Sequence, residues 1–455
     1  MIVMKFGGSS LESAEAIGRV ASIIESRRAR KPVVVVSAMG KTTNTLLKLA
    51  TIAAKRDESG VRDQLGALRQ FYESEGGKAA SKLGEELRAV LDGHFAELGA
   101  IVEGLCATCE LTRRTLDAVA SFGERLSSQI VSLALRSRGI PSVQLDARKL
   151  IVTDDRFTHA APLIDETYER IAANVRKVGR ECVPVMGGFI GATREGVTTT
   201  IGRGGSDYTA ALVGAAIDAE DIEIWTDVDG VLTCDPHLIP EAYPVRRISF
   251  DEAAEMAYFG AKVLHPATVL PAKEKNIPVW ILNSRRPEAE GTEITADAVP
   301  CKNILKSIAC KRGVTVVNLR STRMLGAHGF LRRIFEVFDR HETAVDMIST
   351  SEVSVSLTID NDAHLDEIRK ELDPFTEVSV ERDQAILCAV GDNVRHTPGV
   401  AARVFDALKC VNVRMISQGA SRLNLGVVVD AKDLQKAAAA LHQAFFAERD
   451  PAVFG

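Results

Sequence analysis

Glycine-rich turns that directly follow apolar strands are the features of this sequence best suited to bind phosphate. They are Gly7-Gly8-Ser9-Ser10 after Ile2–Phe6, Gly187-Gly188 after Val183–Met186, and Gly202–Asp207 after Gly196–Ile201. Glycine lets backbone amides approach an anion closely, and the start of a following helix favours negative charge. Each turn alone is a weak signal, because a glycine pair after a strand usually only reverses the chain. Together they predict a phosphate-binding edge.

Charged side chains beside these turns could neutralise and orient anions. Lys5 lies at the end of the first strand, and Arg203 offers a planar pair of donors to a carboxylate or phosphate. Asp207 opens the next helix and is explained equally well as a helix cap. Glu124 could accept a hydrogen bond from an ammonium group, although an exposed helix glutamate is the commoner case.

A further strand ends in Trp225–Gly230, which contains Asp227 and Asp229. These carboxylates could bind Mg²⁺ or a nucleotide, although an Asp-Gly turn explains them as well. Gly40-Lys41-Thr42 resembles the end of a P-loop, but Val35 stands where the first glycine of that motif is needed. The sequence pairs no Ser or Cys with a His and an acid, so it does not indicate a covalent-nucleophile hydrolase.

The composition excludes several classes of protein. With 455 residues the chain is too long for one core, and its formal net charge of −5 argues against a general nucleic-acid binder. No apolar run is long enough to span a bilayer, and the short apolar start is not a signal peptide. Scattered cysteines, with Cys106 and Cys109 lacking further ligands, indicate reduced thiols and no metal site. We therefore expect a cytoplasmic protein without nucleic-acid or membrane partners.

Alternating strands and helices must position these residues. Helical stretches separate most of the apolar strands, which predicts an α/β fold with a mostly parallel sheet sandwiched by helices. Ligands of such sheets lie beyond the carboxyl ends of the strands, where the motifs fall. Residues 44–138 are predicted to be a helical insert. Ser9 and Glu12 have the spacing of a capping box for a helix over Leu11–Arg28.

An internal repeat follows the Pro- and Gly-rich boundary at residues 285–300. Gly329-Phe330-Leu331 recurs as Gly399-Val400-Ala401, and Val345–Ser349 recurs as Val413–Ser417. Each copy is predicted to be a βαββαβ unit. The second copy lacks a last strand, whereas Ser307–Cys310 precedes the first. We predict a domain over 1–295, a first copy over 313–383, and a second copy formed by 302–312 plus 384–455.

These motifs, in their order along the chain, resemble those of the aspartate kinase family. The resemblance rests on Lys5–Ser10, Ser121–Glu124, Gly202–Ala210, Trp225–Gly230 and Phe259–Pro266. The repeat resembles the paired α+β ACT domains of that family, and Thr350–Val355 is close to the form in lysine-sensitive members. The family implies an amino-acid-kinase fold and phosphorylation of the L-aspartate side-chain carboxylate by ATP with Mg²⁺. No dehydrogenase domain follows, as in the monofunctional type.

The resemblance also implies roles for individual residues. Lys5 and Lys262 would neutralise the transferred phosphoryl group, with Asp207 as the third catalytic residue. The implied substrate-binding residues are Gly8, Ser37, Thr43, Glu124 and Arg203. The implied nucleotide-binding residues are Gly7, Ser9, Thr226, Asp227, Asp229, Leu232, Asp235, His237 and Lys262. The implied allosteric residues are Met324, Gly329, Phe330, Leu331, Val345, Asp346, Ser351 and Glu352.

Two positions depart from the family pattern and leave alternatives open. Leu232 and His237 stand where relatives often have Tyr and Arg, near the nucleotide. One alternative is an amino-acid kinase acting on acetylglutamate or a nucleotide, against which Glu124 speaks. The other is a non-catalytic sensor that keeps the fold. We expect lysine as the inhibitor, with threonine next, and a homodimer or homotetramer formed through the ACT domains.

Overall fold

Runs of apolar and β-branched residues form the strands of the protein. The structure, a computed structural model, describes residues 1–179, 181–260, 266–297, 300–321 and 328–455. The strands in these ranges are β1 (Ile2–Phe6), β2 (Pro32–Val36), β3 (Ser142–Leu145), β4 (Val183–Gly187), β5 (Ile190–Ala192), β6 (Thr198–Thr200), β7 (Ile222–Thr226), β8 (Arg247–Ser249), β9 (Val279–Asn283), β10 (Thr292–Thr295), β11 (Leu305–Arg320), β12 (Ile348–Thr350), β13 (Ser354–Ile359), β14 (Glu377–Gly391), β15 (Val413–Gln418) and β16 (Asn424–Asp430).

Amphipathic segments between the strands form the helices, which cover the sheets with their apolar faces. The described α-helices are α1 (Ala14–Ser26), α2 (Thr42–Ala54), α3 (Glu58–Ala79), α4 (Gly84–Thr108), α5 (Arg113–Ala120), α6 (Phe122–Ser137), α7 (Ile164–Val178), α8 (Gly205–Ile217), α9 (Phe250–Tyr258), α10 (Leu270–Glu274), α11 (Phe330–Arg340), α12 (Leu365–Leu372), α13 (Val400–Ala407) and α14 (Leu434–Phe446).

The chain divides into two units, and the first is built on a mostly parallel sheet. It comprises Met1–Gly230 and Val263–Ala296. Its strands lie in the order β3-β4-β2-β1-β7-β9-β10. The pairs from β3 to β9 are parallel, whereas β10 runs antiparallel to β9. Every residue of β1, β2 and β4 is buried, as expected for strands covered by helices on both faces.

The carboxyl ends of four neighbouring strands lie side by side at one edge of this sheet. Phe6 of β1 pairs with Val36 of β2 and with Trp225 of β7, and Val36 pairs with Gly187 of β4. Because these strands are parallel, the turns that leave them all emerge at the same edge. The register therefore gathers the glycine turns that follow β1 and β4.

Five helices, α2 to α6, occupy residues 42–137, the region where the sequence predicts a helical insert. Their apolar faces share one cluster with the sheet, in which Leu46, Tyr72, Phe122 and Ile130 are fully buried. The last helix, α6, lies directly against the strand ends because glycine leaves room for it. A Cβ atom on Gly187 would be 2.9 Å from the Cβ of Glu124.

The start of α1 differs from the sequence prediction. Gly8–Leu11 form a 3-10 turn, and α1 begins only after it. The cap is Ser13, whose Oγ accepts a hydrogen bond from the backbone N–H of Ala16 at 3.2 Å. The predicted capping box of Ser9 and Glu12 is therefore wrong. The chain leaves β1 through a tight turn before a helix can form, and Ser9 is part of that turn.

A second correction concerns the segment before α8. The sequence predicts a strand of the main sheet over Gly196–Ile201. Only Thr198–Thr200 are extended, and they pair antiparallel with β5 in a separate two-stranded sheet. A short hairpin satisfies their backbone groups locally, so this part of the prediction is wrong.

The second unit comprises Val231–Lys262 and Asp297–Gly455 and contains an antiparallel sheet. Its strands lie in the order β12-β13-β11-β14-β16-β15. The two central strands are long, and they pair from Leu305 opposite Gly391 to Arg320 opposite Glu377. Ser307–Cys310, in the first half of β11, lies opposite the residues of β14 that begin the second copy of the repeat. The second half of β11 pairs with β13 of the first copy.

One strand of the first copy begins later than predicted. The sequence predicts a strand over Val345–Ile348, but β12 begins at Ile348. Asp346 instead donates its backbone N–H to the carbonyl of Thr358 at 2.9 Å, outside the regular strand. The prediction is therefore wrong at this point. Within the described ranges, no helix combines the length and apolar character that crossing a membrane requires.

We predict that Gly123→Ala destabilises the first unit. A Cβ atom on Gly123 would lie 2.7 Å from the Cβ of Ala38, so α6 would have to move away from the turn after β2. Overpacking of this kind costs about 1–3 kcal/mol. Both tryptophans, Trp225 and Trp280, belong to this unit, so their fluorescence during urea unfolding reports the loss.

The control for this prediction is Gly104→Ala in α4, where a Cβ atom would meet nothing within 4 Å. That variant should be more stable than the wild type by about 0.5–1 kcal/mol, because alanine is the better helix former. If Gly123→Ala were as stable as Gly104→Ala, the close approach of α6 would be contradicted.

Candidate functional site

A cavity of about 620 Å³ opens at the carboxyl ends of β1 and β2. We call it the strand-end cavity. Its lining includes residues from turns and helices that are far apart in the sequence. Seven of the predicted site residues line it, namely Lys5, Gly8, Ser37, Thr43, Glu124, Arg203 and Asp207.

An ion pair between Lys5 and Asp207 stands at the centre of this lining. The Nζ of Lys5 lies 2.6 Å from Oδ1 of Asp207, and the two side chains are 11% and 15% exposed. Lys5 comes from the buried strand β1, and Asp207 from the first turn of α8. Gly204 caps α8 with a φ of +73°, a conformation that glycine adopts without strain. The pair therefore fixes a positive charge beside a helix N-terminus, where an anion is favoured.

Glu124 presents an unsatisfied carboxylate oxygen. It lies in the first turn of α6 and is 3% exposed. Its Oε1 accepts a hydrogen bond from the backbone N–H of Ala38 at 3.1 Å, whereas Oε2 has no partner among the described residues. Burial raises the pKa of Glu124 to about 8. A buried acceptor of this kind suits an ammonium group, which would supply the missing bonds and favour the ionised form.

Arg203 is the second cationic side chain of the lining and lies in the loop before α8. It is exposed, and it has no ion-pair partner in the part of the chain that the structure describes. Its guanidinium is therefore available to a carboxylate ligand. With Lys5, Arg203 and Glu124 around one cavity, the arrangement can hold a small molecule that carries an ammonium group and negatively charged oxygens.

Asp117 is a site residue that the sequence prediction missed. It lies in α5 and is 1% exposed. It accepts hydrogen bonds from the N–H of Thr158 and the N–H of Thr200, both at 2.9 Å, and from Oγ1 of Thr200 at 2.6 Å. Burial raises the pKa of Asp117, although these bonds oppose the effect. No sequence signal distinguishes this residue from an exposed helix aspartate, because its partners are distant in the chain.

The predicted nucleotide residues of the first unit lie at the ends of β1 and β7. The N–H of Gly7 donates to the carbonyl of Trp225 at 3.1 Å, which joins the two strand ends. Asp229 accepts from Nδ2 of Asn283 at 2.7 Å and pairs with Arg286. Thr226 is the last residue of β7 and Asp227 follows it, whereas Ser9 lies in the turn after β1.

The remaining predicted nucleotide residues belong to the second unit or lie outside the described ranges. Leu232, Asp235 and His237 follow β7 in the sequence and are part of the second unit. Oδ1 of Asp235 accepts from the N–H of His237 at 2.9 Å, which closes a short turn. Lys262 lies outside the described residues, so its predicted place beside Lys5 stays a prediction.

The predicted allosteric residues that the structure describes all lie in the second unit. Gly329 caps α11 with a φ of +76°, and Phe330 is buried in the cluster beneath that helix. Val345 packs against the same cluster, whereas Leu331 is exposed. Asp346 pairs with Lys311 at 2.8 Å.

Two further residues that the sequence predicts to be allosteric directly follow β12. The N–H of Ser351 donates to the carbonyl of Ser354 at 2.8 Å, in a turn that also contains Glu352. Met324 lies outside the described residues. Among the residues that the structure does describe, no group of three or more His, Cys, Asp or Glu side chains could hold a metal ion.

Two family models match this chain. The model of the amino acid kinase family matches residues 1–283, and a model of the ACT domain matches residues 317–366 and 387–445. Among similar proteins, the chloroplastic aspartokinase 2 of Arabidopsis thaliana is 40% identical over 99% of this chain and 85% of its own length. The lysine-sensitive aspartokinase 3 of Escherichia coli is 38% identical over 98% of this chain and 99% of its own length.

Solved structures agree with these matches. Aspartokinase III of E. coli in complex with aspartate and ADP, in its R-state, superposes with a TM-score of 0.85 at 36% identity and covers 98% of this chain and 100% of its own. The same enzyme in complex with lysine and aspartate, in its T-state, gives a TM-score of 0.84 at 35% identity, with coverages of 98% and 99%.

We predict that Asp117→Asn loosens the wall of the strand-end cavity. Both backbone N–H groups bond to Oδ2, which the amide oxygen of Asn can replace, and the NH₂ group then meets the Thr200 hydroxyl in place of Oδ1. The charge-assisted hydrogen bonds become neutral ones, which are roughly half as strong, so the free energy of unfolding should fall by about 1 kcal/mol. Urea unfolding followed by tryptophan fluorescence measures this loss.

The control is Asp63→Asn on α3, where the aspartate is exposed and the same exchange should leave the stability unchanged. Equal stability of the Asp117→Asn variant and the wild type would contradict the role of Asp117 as an anchor for Thr158 and Thr200.

Proposed function

The chain belongs to the aspartokinase family, and from that premise we propose that its strand-end cavity transfers the terminal phosphoryl group of ATP to the side-chain carboxylate of L-aspartate. The product is 4-phospho-L-aspartate, an acyl phosphate. In the family this is the first step of lysine, threonine, methionine and diaminopimelate biosynthesis. The fold is that of an amino-acid kinase followed by ACT domains.

The observation that carries the proposal is the convergence of Lys5, Arg203 and Glu124 on one cavity. A carboxylate is already a nucleophile at neutral pH, so this reaction needs no strong general base. The obstacle is the repulsion between two anions. Lys5, held by Asp207, places a positive charge where the two anions meet, and the start of α8 adds its dipole. Charge neutralisation and alignment are the main contributions of enzymes that transfer phosphoryl groups.

Aspartate recognition follows from the other charged groups. We assign the α-carboxylate to Arg203 and the α-ammonium to Glu124, whose Oε2 lacks a partner among the described residues. Gly8, Ser37 and Thr43 complete the wall around the substrate. An acylated amine carries no positive charge and would leave the buried carboxyl of Glu124 without a partner, which argues against acetylglutamate as the substrate.

Nucleotide binding is assigned to the strand ends beside this cavity. Asp227 is exposed and offers hard oxygen ligands, which suit Mg²⁺, whereas Asp229 is already held by Asn283 and Arg286. Bound with ATP, Mg²⁺ would neutralise charge on the phosphate oxygens. The other nucleotide residues that we propose are Gly7, Ser9, Thr226, Leu232, Asp235, His237 and Lys262.

Regulation and assembly complete the proposal. We propose lysine as the feedback inhibitor, bound by the residues around Asp346 in the first copy of the repeat. Inhibition would act as a coupling free energy between the effector site and the catalytic site. This proposal also includes the domain limits 1–295, 313–383 and 302–312 plus 384–455. It further includes assembly as a homodimer or homotetramer and a cytoplasmic location.

We predict that Lys5→Ala lowers kcat on the order of 100-fold or more, with a much smaller rise in KM for aspartate. The lost ammonium stabilises the transferred phosphoryl group and not the bound amino acid. Hydroxylamine traps the acyl phosphate product as a hydroxamate, so aspartate-dependent hydroxamate formation measures the reaction. Adding lysine or threonine to the wild-type assay tests the proposed inhibition as well.

The matched control is Lys48→Ala on the exposed face of α2, which should leave both constants unchanged. An unchanged kcat in Lys5→Ala would remove Lys5 from the mechanism. Binding of ATP without aspartate-dependent turnover in the wild type would favour a ligand sensor over a kinase.

We predict that aspartate binding releases a proton below pH 8. The raised pKa of about 8 means that Glu124 carries a proton in the free protein at pH 7. The ammonium of aspartate favours the carboxylate form, so the proton must leave when aspartate binds. The affinity should therefore rise by up to about tenfold per pH unit from pH 6 and level off above pH 8. Calorimetry in phosphate and Tris buffers measures the proton release.

The control for proton release is Glu124→Gln, which has the same shape but cannot ionise. This variant should bind aspartate more weakly and with the same enthalpy in both buffers. Proton release that persisted in Glu124→Gln would assign the titration to another group and contradict the placement of the ammonium.

A further inference from the structure

The ammonium group of Lys311 pairs with Asp346, the residue whose carboxylate we assign to binding of the effector. The Nζ of Lys311, on β11, lies 2.8 Å from Oδ2 of Asp346 and 3.0 Å from Oδ2 of Asp360. The side chain of Asp346 is 5% exposed, that of Lys311 18%, and that of Asp360 48%. The most buried member of this triad is therefore an acid whose charge is balanced by a lysine of the same chain.

The other side of Lys311 faces α9. Its Nζ lies 5.7 Å from the centre of the Tyr258 ring, at the end of that helix. The backbone continues against β11, since a Cβ atom on Gly260 would be 2.3 Å from the carbonyl oxygen of Cys310. Burial and the nearby Asp346 carboxylate raise the pKa of the Tyr258 hydroxyl. The lysine thus joins the predicted effector residue to the end of α9.

The repeat contains this triad a second time, with its charges exchanged. The positions that correspond to Lys311, Asp346 and Asp360 are Glu381, Arg414 and Asp430. Arg414 lies 3.6 Å from Glu381 and 3.2 Å from Asp430. Both triads therefore hold one cation between two acids. In the second copy the cation stands in the place of Asp346, where it would repel an ammonium ligand.

We propose that Lys311 is an internal competitor for the effector's ammonium group at Asp346. This inference rests on the proposed regulation by lysine. A cation must remain beside the buried carboxylate, and either the side chain of Lys311 or the ligand can provide it. Binding of the effector exchanges one ammonium for the other, so the affinity for lysine is lower than the two carboxylates alone would give. The exchange also removes Lys311 from Tyr258, which lies four residues before Lys262 in the sequence.

The test is calorimetric titration of the full chain with L-lysine. Lys311→Met removes the competing charge and keeps most of the stem, so the Kd for lysine should fall roughly tenfold. Lys311→Arg keeps the charge and should bind about as weakly as the wild type. Arg414→Met, the matched change in the second copy, should leave the Kd unchanged.

A second variant tests the same inference in case Lys311→Met does not fold. Tyr258→Leu removes the ring that faces Lys311 and leaves both carboxylates in place. The variant loses the cation–π contact that stabilises Lys311 in its present position, so the Kd for lysine should fall about twofold to fivefold. Aspartate-dependent activity without lysine shows that each variant is folded.

The outcomes separate this inference from the proposed function. Unchanged or weaker lysine binding in both Lys311→Met and Tyr258→Leu overturns the competitor role, while wild-type binding and inhibition leave the regulation intact. Absence of lysine binding to the wild type overturns the regulation and this inference together, and leaves the kinase assay as a separate result.

Discussion

The pairing of Lys5 with Asp207 is the interaction on which the catalytic unit depends. A lysine largely removed from water needs an opposite charge, and the only element that brings one within 2.6 Å of this strand end, among those described, is α8. The pair therefore fixes the end of β1 against the start of α8. In the mechanism that we propose, it also holds a positive charge where two anions must approach each other. One contact therefore serves both the stability of the fold and the proposed chemistry.

Close packing at glycine is what allows the other parts to meet this pair. Gly187 leaves room for Glu124, and a Cβ atom on Gly188 would lie 2.7 Å from the backbone of Ser206 at the start of α8. Both α6 and α8 can therefore approach the strand ends more closely than side chains would permit. These glycines make folding less favourable, because an unfolded glycine has more backbone conformations to lose than any other residue. A buried acid and a paired lysine then share one small cavity.

Much of this arrangement could be predicted, because strand ends are recognisable and parallel strands end together. Lys5 follows from its place at the end of such a strand, whereas Glu124, Arg203 and Asp207 are identified by motifs that resemble the family, and the structure gathers all four around one cavity. Asp117 could not be predicted, since its burial comes from Thr158 and Thr200, which lie far away in the sequence. The capping box failed because its spacing fits a 3-10 turn as well as a helix. The pairing of Ser307–Cys310 with the second copy was predicted correctly because that copy lacks a last strand in the sequence pattern.

The long strands β11 and β14 have a consequence for how the chain folds during synthesis. Half of each strand belongs to one copy of the repeat and half to the other. On the ribosome, the first half of β11 emerges well before the partner residues of β14, and β16 emerges later still. The first copy can therefore close its sheet while one end of β11 waits as an unpaired edge, the kind of surface on which chains aggregate. Once complete, the two copies share their central strands and must unfold as one cooperative body.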